Sequence, residues 1–257
     1  MKIMHLSDLH FGTESDGIVD LLKVSIEDIK PELVVVSGDF TQIANNREFK
    51  TAQTFMSALS MPVFCVPGNH DIPRFDLWER FFDPYRKYKK YIDENLCPVF
   101  ENDEVIVAGI NSARRVLPHW NWANGAISGA QLDHLERVYG DSKKRRICVF
   151  HHPIHQAMNA PLDTVVYGAK QAMARLNEME VDLVLTGHVH HASVTTIGDV
   201  DHRTLYLSAS TALSSRLRSQ QNGFNVIEVD SERMDIALYA HDGEGFKEIE
   251  NYSSARI

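Results

Sequence analysis

Residues 32–40 read ELVVVSGDF: four consecutive aliphatic side chains, Leu33 to Val36, then a small residue, a glycine and a carboxylate. A strand that is apolar at every position buries both of its faces, so layers must cover it on both sides. LVLTGHVHH at 183–191 repeats the pattern. Outward from the first run, IMHLS at 3–7 precedes it, PVFCVPG at 62–68 follows it, and helical periodicity fills the gaps from about Asp16 to Lys30 and Arg47 to Leu59. The first helix carries Ile18, Leu21, Leu22 and Ile29 on one side, and Pro31 marks its end. Strand and helix in alternation predict βαβ units and a parallel sheet.

The rhythm continues down the chain. EVIVAGI (104–110), RRICVFHHP (145–153) and VDLVLTG (181–187) read as strands, and helices are expected over SGAQLDHLERVY, with a capping-box spacing from Ser128 to Gln131, and near Gly168 to Met179. FDLWERFFDPYRKYKKYI (75–92) reads as helical, broken at Pro84, with its aromatic residues packed over the edge of the core; FDLWERFF could equally cover a homodimer contact. TLYLSAS, FNVIEVD and MDIALYA read as consecutive strands, an antiparallel portion completing a second sheet. The expectation is an α/β fold of one domain over 1–257, with two facing mixed sheets flanked by helices, a four-layer αββα sandwich.

The 257 residues carry a net charge of −9, which argues against a surface that tracks a long nucleic-acid backbone. RKYKK (86–90) and KKRR (143–146) are read as solvated faces. No apolar stretch approaches the roughly 20 residues of a membrane span, so no membrane partner is expected. Cys65, Cys97 and Cys148 form no CxxC pair and suggest a reducing compartment. MKIMHLSDLHFG has no long apolar region or cleavage site, and a cytoplasmic protein is expected.

Polar clusters sit where five of these strands stop: Asp8 and His10 in SDLH, Asp39 in SGDF, Asn69 to Asp71 in GNHD, His151 in FHHP, and His188 and His190 in TGHVH. In sheets of this kind, ligand sites form at the carboxyl ends of strands, so distant clusters can converge. Residues two apart on an extended chain face the same way, which pairs Asp8 with His10 and His188 with His190 and turns His5, His152 and His191 aside. Gly38, Gly68 and Gly187 permit sharp turns or close backbone approach. Aspartate, histidine and one amide oxygen, without thiolate, suit divalent Mn, Fe, Zn or Co. Seven such ligands are too many for one tetrahedral ion, whereas two ions sharing one carboxylate use them all.

The order DxH, GD, GNHD, HHP, GHxH resembles the calcineurin-like metallophosphoesterases, and the segment STALSSRLRSQQNGFNVIEV (210–229) resembles the class III cyclic nucleotide phosphodiesterases within them. The resemblance implies that Asp8, His10 and His190 hold one metal, that Asn69, His151 and His188 hold a second, and that Asp39 bridges. It implies a phosphodiesterase acting on a small diester, a cyclic nucleotide of the cyclic AMP type first, by in-line attack of a metal-bridging hydroxide. A phosphomonoesterase or broad phosphoesterase is the alternative, with a nuclease or a non-catalytic scaffold behind it. His70 would meet the reacting phosphate, stabilising it or protonating the leaving oxygen, and Asp71 would hydrogen-bond the His70 imidazole. Arg216 and Arg218 are candidates to grip a phosphate or a base, as is Arg74. His119, His155, His202 and Asn111 are possible lining residues of the mouth.

Overall fold

The computed structural model of the chain describes residues 1–118, 121–155, 166–198, 202–218 and 220–255. Three parallel strands, β1 (Lys2–Leu6), β2 (Leu33–Val36) and β3 (Val63–Cys65), run in register with Leu6 beside Val36 and Val36 beside Cys65. Their crossovers are α1 (Ile18–Ile29), which buries Ile18, Leu22 and Ile26 at a four-residue spacing, and α2 (Asn46–Ser57). α2 starts in a capping box, the Asn45 side chain accepting from the Glu48 N–H at 2.9 Å while Glu48 reaches back to the Asn45 N–H.

Beyond β3 come α3 (Leu77–Phe82), α4 (Arg86–Tyr91), β4 (Val99–Glu101), β5 (Val105–Gly109), β6 (Gly125–Ala126) and α5 (Gly129–Tyr139), which carries the expected Ser128–Gln131 box. β7 (Arg145–Val149), β8 (Val166–Tyr167), α6 (Ala169–Glu178), β9 (Leu183–Thr186), β10 (Ser193–Gly198) and β11 (Arg203–Ser208) follow. β5, β7, β9 and β11 are parallel, with β4 and β10 antiparallel at the two edges.

The chain closes with β12 (Gly223–Val229), β13 (Arg233–His241) and β14 (Phe246–Ala255), where the expectation needs correcting. TLYLS joins the second sheet as β11, parallel to β9, but β12 to β14 extend the first, because β12 pairs antiparallel with the side of β1 that β2 leaves open.

Alternation along the strands builds the layers. Val35, Phe64, Val107, Val149 and Leu185 fill the space between the sheets; Val34 and Val36 face outward onto Leu22, Ile26 and Phe49; Ala108, Cys148 and Val184 face Leu132, Leu135 and Leu176. The protein is an α/β sandwich of two mixed sheets between helices. Each buried Val or Leu contributes about 1.5–3 kcal/mol, so all three layers are held mainly by aliphatic burial.

Two surface readings change. Phe75, Trp78 and Phe82 are 73%, 75% and 69% exposed, so only the second half of the 75–92 segment packs on the core as expected, through Tyr88 and Tyr91 of α4, while six-residue α3 buries Glu79 and Arg80. Glu79 there gathers Arg86 and Lys87 from the RKYKK run. In KKRR, Arg145 and Arg146 open β7 and are buried, Arg145 paired with Asp182 at 2.8 Å and Arg146 bonded to the carbonyls of Met179, Gly140 and Ser142. A strand start lying against the β9 entry brings both guanidinium groups internal partners, although Arg145 Nη2 and Arg146 Nε stay buried without one among the described residues.

Candidate active site

All five clusters lie just past the carboxyl ends of parallel strands: Asp8 and His10 after β1, Asp39 after β2, Asn69 after β3, His151 after β7, His188 and His190 after β9. The pairing within DxH and HxH has another cause than strand alternation. The chain has already left the strand, and Asp8, His10, Asp39, His188 and His190 have φ of 52°, 46°, 56°, 69° and 53°. Left-handed backbone costs a non-glycine residue about 1–2 kcal/mol. Strain of this kind persists where its surroundings over-determine it, and here it turns five candidate ligands inward.

Close backbone approach brings the loops together. A β-carbon on Gly68 would lie 2.1 Å from Asp39 Oδ1, and one on Gly187 would lie 1.7 Å from Ser7 Oγ and 2.4 Å from Asp8 Oδ2. Ser7 Oγ and the His188 N–H both donate to Asp8 Oδ2, at 2.7 and 2.9 Å, and Thr211 Oγ1 donates to the Asp8 carbonyl at 2.6 Å. The 210–218 segment therefore braces the first loop.

The imidazoles are oriented from behind. His10, His151 and His190 place Nδ1 at 3.2, 2.8 and 3.2 Å from the carbonyls of Thr41, Ser37 and Arg216. A carbonyl only accepts, so each Nδ1 carries a proton and Nε2 is the nitrogen left to face the centre. The Nε2 atoms of His10 and His190 face each other across 3.0 Å. That contact is favourable only with a proton or a metal ion between them. Asp8 Oδ1 and His151 Nε2 are buried without a hydrogen-bond partner. Two facing imidazole nitrogens, an orphaned carboxylate oxygen and a third nitrogen without a hydrogen bond fit metal ions.

Distances divide the cluster into two lobes. Asp8 Oδ1 lies 3.1 Å from His190 Nε2 and 3.6 Å from His10 Nε2; Asp39 Oδ2 lies 3.2 Å from His151 Nε2 and 3.8 Å from His10 Nε2. His188 Nδ1 stands 3.0 Å from Asn69 Oδ1. Among the described residues, ligand-sized groups form around Asp8, His10 and His190, around Asp8, Asp39 and His151, around His10, Asp39 and His70, and around His151, His152 and His188.

Charge follows the same division. Burial pushes the Asp39 carboxyl up, but His151, His70 and His10 together hold it well below the usual range; Asp8 is likewise held down against burial, chiefly by His190. Burial would lower His151, yet Asp39 and Asp8 raise it to about 9. His188 falls to about 3 through burial and repulsion from His151. Both carboxylates are anionic in the fold.

GNHD forms a single 3-10 turn, Asn69–Asp71. The expected Asp71–His70 hydrogen bond is absent. Asp71 Oδ1 accepts from the Thr41 N–H and Oγ1, both at 3.1 Å, and Oδ2 accepts from the Gly68 N–H at 2.9 Å, because adjacent side chains on this turn diverge. Burial and the Asp39 charge push Asp71 up to about 7. His70 donates Nδ1–H to the Gln42 carbonyl at 2.7 Å, sets its ring edge-on to His10, and has its pKa lowered by burial. Its backbone N–H also holds Asp39 Oδ1 at 2.8 Å.

Asp39, Asn69, His188 and His190 floor a cavity of about 530 Å³, with His70, Gln42, Arg74, Arg80, Trp122, Arg216 and Arg218 around it. Its size is within the range for small organic ligands. Arg80, Trp122 and Gln42 escaped sequence reading: Arg80 looked like one more charge on a surface helix, and Trp122 arrives from a loop with no periodic signal. His152 stands closer than alternation implied, its ring centroid 4.6 Å from that of His188, but Ser112 Oγ and the Ala123 carbonyl occupy its two nitrogens. His5 is turned aside as expected, to Ser37 and Asn225. His155 packs on Tyr206, His202 bonds the Val181 carbonyl, and Asn111 Oδ1 accepts from the Ala113 N–H; none of the three lines this cavity, and His119 lies outside the described residues. A separate cleft of about 430 Å³ opens beside Arg145, Asp182 and Arg203, at the amino ends of the strands, away from these clusters.

The family profile of the calcineurin-like phosphoesterases matches residues 1–192, a span that takes in every one of the five clusters. The chain belongs to the calcineurin-like phosphoesterases. It is 27% identical over 210 residues to a probable glycerophosphodiester phosphodiesterase GpdQ of Arcobacter nitrofigilis, covering 76% of this chain and 74% of that one. It is 22% identical over 207 residues to a probable cyclic nucleotide phosphodiesterase of a Synechococcus species, covering 76% and 75%. In fold it resembles the crystal structure of a dimetal phosphatase from Danio rerio, with a TM-score of 0.71 at 15% identity over 100% and 99% of the two chains. As a calcineurin-like phosphoesterase, the protein is a metal-dependent phosphoesterase.

Proposed function

We propose that residues 1–257 form one domain that holds two divalent ions and hydrolyses a small phosphodiester, with cyclic nucleotides as the leading class. The observation that carries this reading is the position of Asp39, whose Oδ2 stands between His10 and His151 at the junction of the two lobes. Asp8, His10 and His190 would hold one ion, Asn69, His151 and His188 the other, and Asp39 would be shared. Bound there, divalent ions supply Lewis acidity, acidifying water and neutralising phosphoryl charge.

The residues of the chain do the rest. Backbone carbonyls fix the tautomers of His10, His151 and His190, and Asp71 pins the GNHD turn to Thr41, a positioning role. His70, with Nδ1–H on Gln42, is left with Nε2 for the cavity. Moving a proton to the leaving oxygen from that atom requires a second proton on the ring. Water adds across the P–O bond, leaving a phosphomonoester and an alcohol. The relatives named for phosphodiester hydrolysis support a diester. The free cysteines Cys65, Cys97 and Cys148 support a reducing, cytoplasmic setting; burial pushes the Cys148 thiol up to about 12, so it stays protonated.

The test is a panel of 2′,3′- and 3′,5′-cyclic nucleotides, linear diesters including a glycerophosphodiester, monoesters and a long single strand, run with each of Mn, Fe, Zn and Co. Turnover of small diesters ahead of monoesters is expected. Hydrolysis of monoesters alone, or of the long strand alone, would replace this reading with a phosphatase or a nuclease.

A further inference from the structure

The chain has 26 Lys and Arg against 35 Asp and Glu, yet the cavity is lined by four arginines and a single carboxylate, Asp39, which is turned into the metal cluster. Several arginines elsewhere are matched: Arg145 with Asp182, Arg175 with Asp133 and Glu136, Arg233 with Asp235. Within the cavity none of the four has an acidic partner. Among the described residues Arg74 has no hydrogen-bond or ion-pair partner, and its guanidinium lies 5.5 Å from the Phe75 ring centroid. Arg216 reaches the neutral Gln42 side chain at 2.9 Å, and Arg218 reaches the Val189 carbonyl at 3.5 Å. Arg80 is buried on the carbonyls of Arg115 and Pro73, with its guanidinium 5.1 Å from the Trp122 ring centroid. Burial lowers the pKa of Arg218; the Asp8 and Asp39 carboxylates raise it and Arg216 lowers it, so Arg218 lies in the field of the two carboxylates that the metals would neutralise and of its neighbouring cation.

Like charges gathered without counter-charge are unfavourable, and a ligand anion relieves them. One diester anion is not enough. Asp8, Asp39, a deprotonated water and the scissile diester already cancel the charge of two divalent ions. The arginines at the mouth remain unmatched. Guanidinium groups match phosphate oxygens in charge and geometry.

We propose that the mouth of this cavity is a second anion subsite, formed by Arg74, Arg216 and Arg218, and that the preferred substrate is a small phosphodiester carrying a further phosphate group. Trp122 and Arg80 line the same cavity, which leaves them to meet the part of the substrate joining the two phosphates. The second phosphate can be a terminal monoester or the other diester of a cyclic dinucleotide. This inference rests on the phosphodiesterase reading and narrows its substrate class.

The test compares ApA with pApA, linear dinucleotides that differ only by the 5′-phosphate, together with a cyclic dinucleotide and 3′,5′-cyclic AMP, on the metal-loaded protein. For wild type, kcat/KM for pApA should exceed that for ApA at least about tenfold, mainly through KM. In Arg74→Ala and Arg218→Ala the ratio should fall toward one. Both sites are on the surface and free of ion pairs, so each variant should melt with wild type. If the cyclic dinucleotide also outruns cyclic AMP, the second diester serves; if pApA alone is favoured, the terminal phosphate is the one read. A pApA to ApA ratio near one in wild type, a ratio unchanged in both variants, or cleavage confined to a long strand overturns the subsite. Absence of turnover on every diester overturns the underlying phosphodiesterase reading instead.

Discussion

An imidazole that has already given its Nδ1–H to a carbonyl has one nitrogen left to offer, and in His10, His151 and His190 that nitrogen meets a carboxylate or another bare nitrogen. The neighbours in GNHD divide their work on the same principle. Asn69 places its amide oxygen beside His188, whereas His70 holds a carbonyl with one nitrogen and turns the other to the cavity. Asn69→Ala should therefore lose metal from the second lobe, read as metal content per chain after desalting. His70→Ala should retain its metal and lose about 10²–10⁴-fold in kcat on a substrate with an alkyl leaving group. If His70 moves a proton to the leaving oxygen, that loss shrinks sharply for a p-nitrophenyl leaving group, which departs as an anion. Equal losses on both would restrict His70 to holding the phosphoryl group and Asp39.

At the scale of elements, the site depends on how closely loops from separate strands approach. Gly187 is the tightest case, since any β-carbon there would overlap Ser7 and press on Asp8. Gly187→Ala should displace the Asp8 carboxylate, lower the melting temperature by the amount expected of about 1–3 kcal/mol of overpacking, and reduce metal affinity and kcat/KM together. Gly245→Ala, where a β-carbon meets nothing within 4 Å, is the control and should match wild type. A Gly187→Ala protein with full metal content would show that the β1 and β9 loops need not touch. The ends of the strands were readable because Val34 to Val36 and Leu183 to Leu185 alternate between two buried layers and each run stops at a glycine. The two-residue pairing of Asp8 with His10 was readable too, but its cause was not: periodicity describes extended chain, and left-handed turns at Asp8, His10, His188 and His190 leave no periodic signature.

For the whole molecule, what stayed hidden in the sequence were contacts between distant segments. Nothing local in FNVIEVD says that it will pair with β1 and not with TLYLS; the choice follows from the open side of β1. Arg145 and Arg146 read as surface charge until Asp182 and the Met179 carbonyl are brought to them from a distant segment. The exposed Phe75, Trp78 and Phe82 reverse the usual expectation for an aromatic helix, because Glu79 and Arg80 take its inward positions. The candidate metal ligands were legible for the opposite reason: their chemistry is carried by residue type, and strand ends collect them whatever the loops do between. Both sheets contribute, so the centre exists only when the sandwich is assembled.

Asp39 joins the two lobes, and the site is dinuclear only if it does so with metal present. Anomalous diffraction from crystals of the manganese-loaded protein should give two peaks per chain, about 3.5–4 Å apart, with Asp39 Oδ2 in contact with both. A single peak, or two peaks of which only one touches Asp39, would contradict the shared-carboxylate centre.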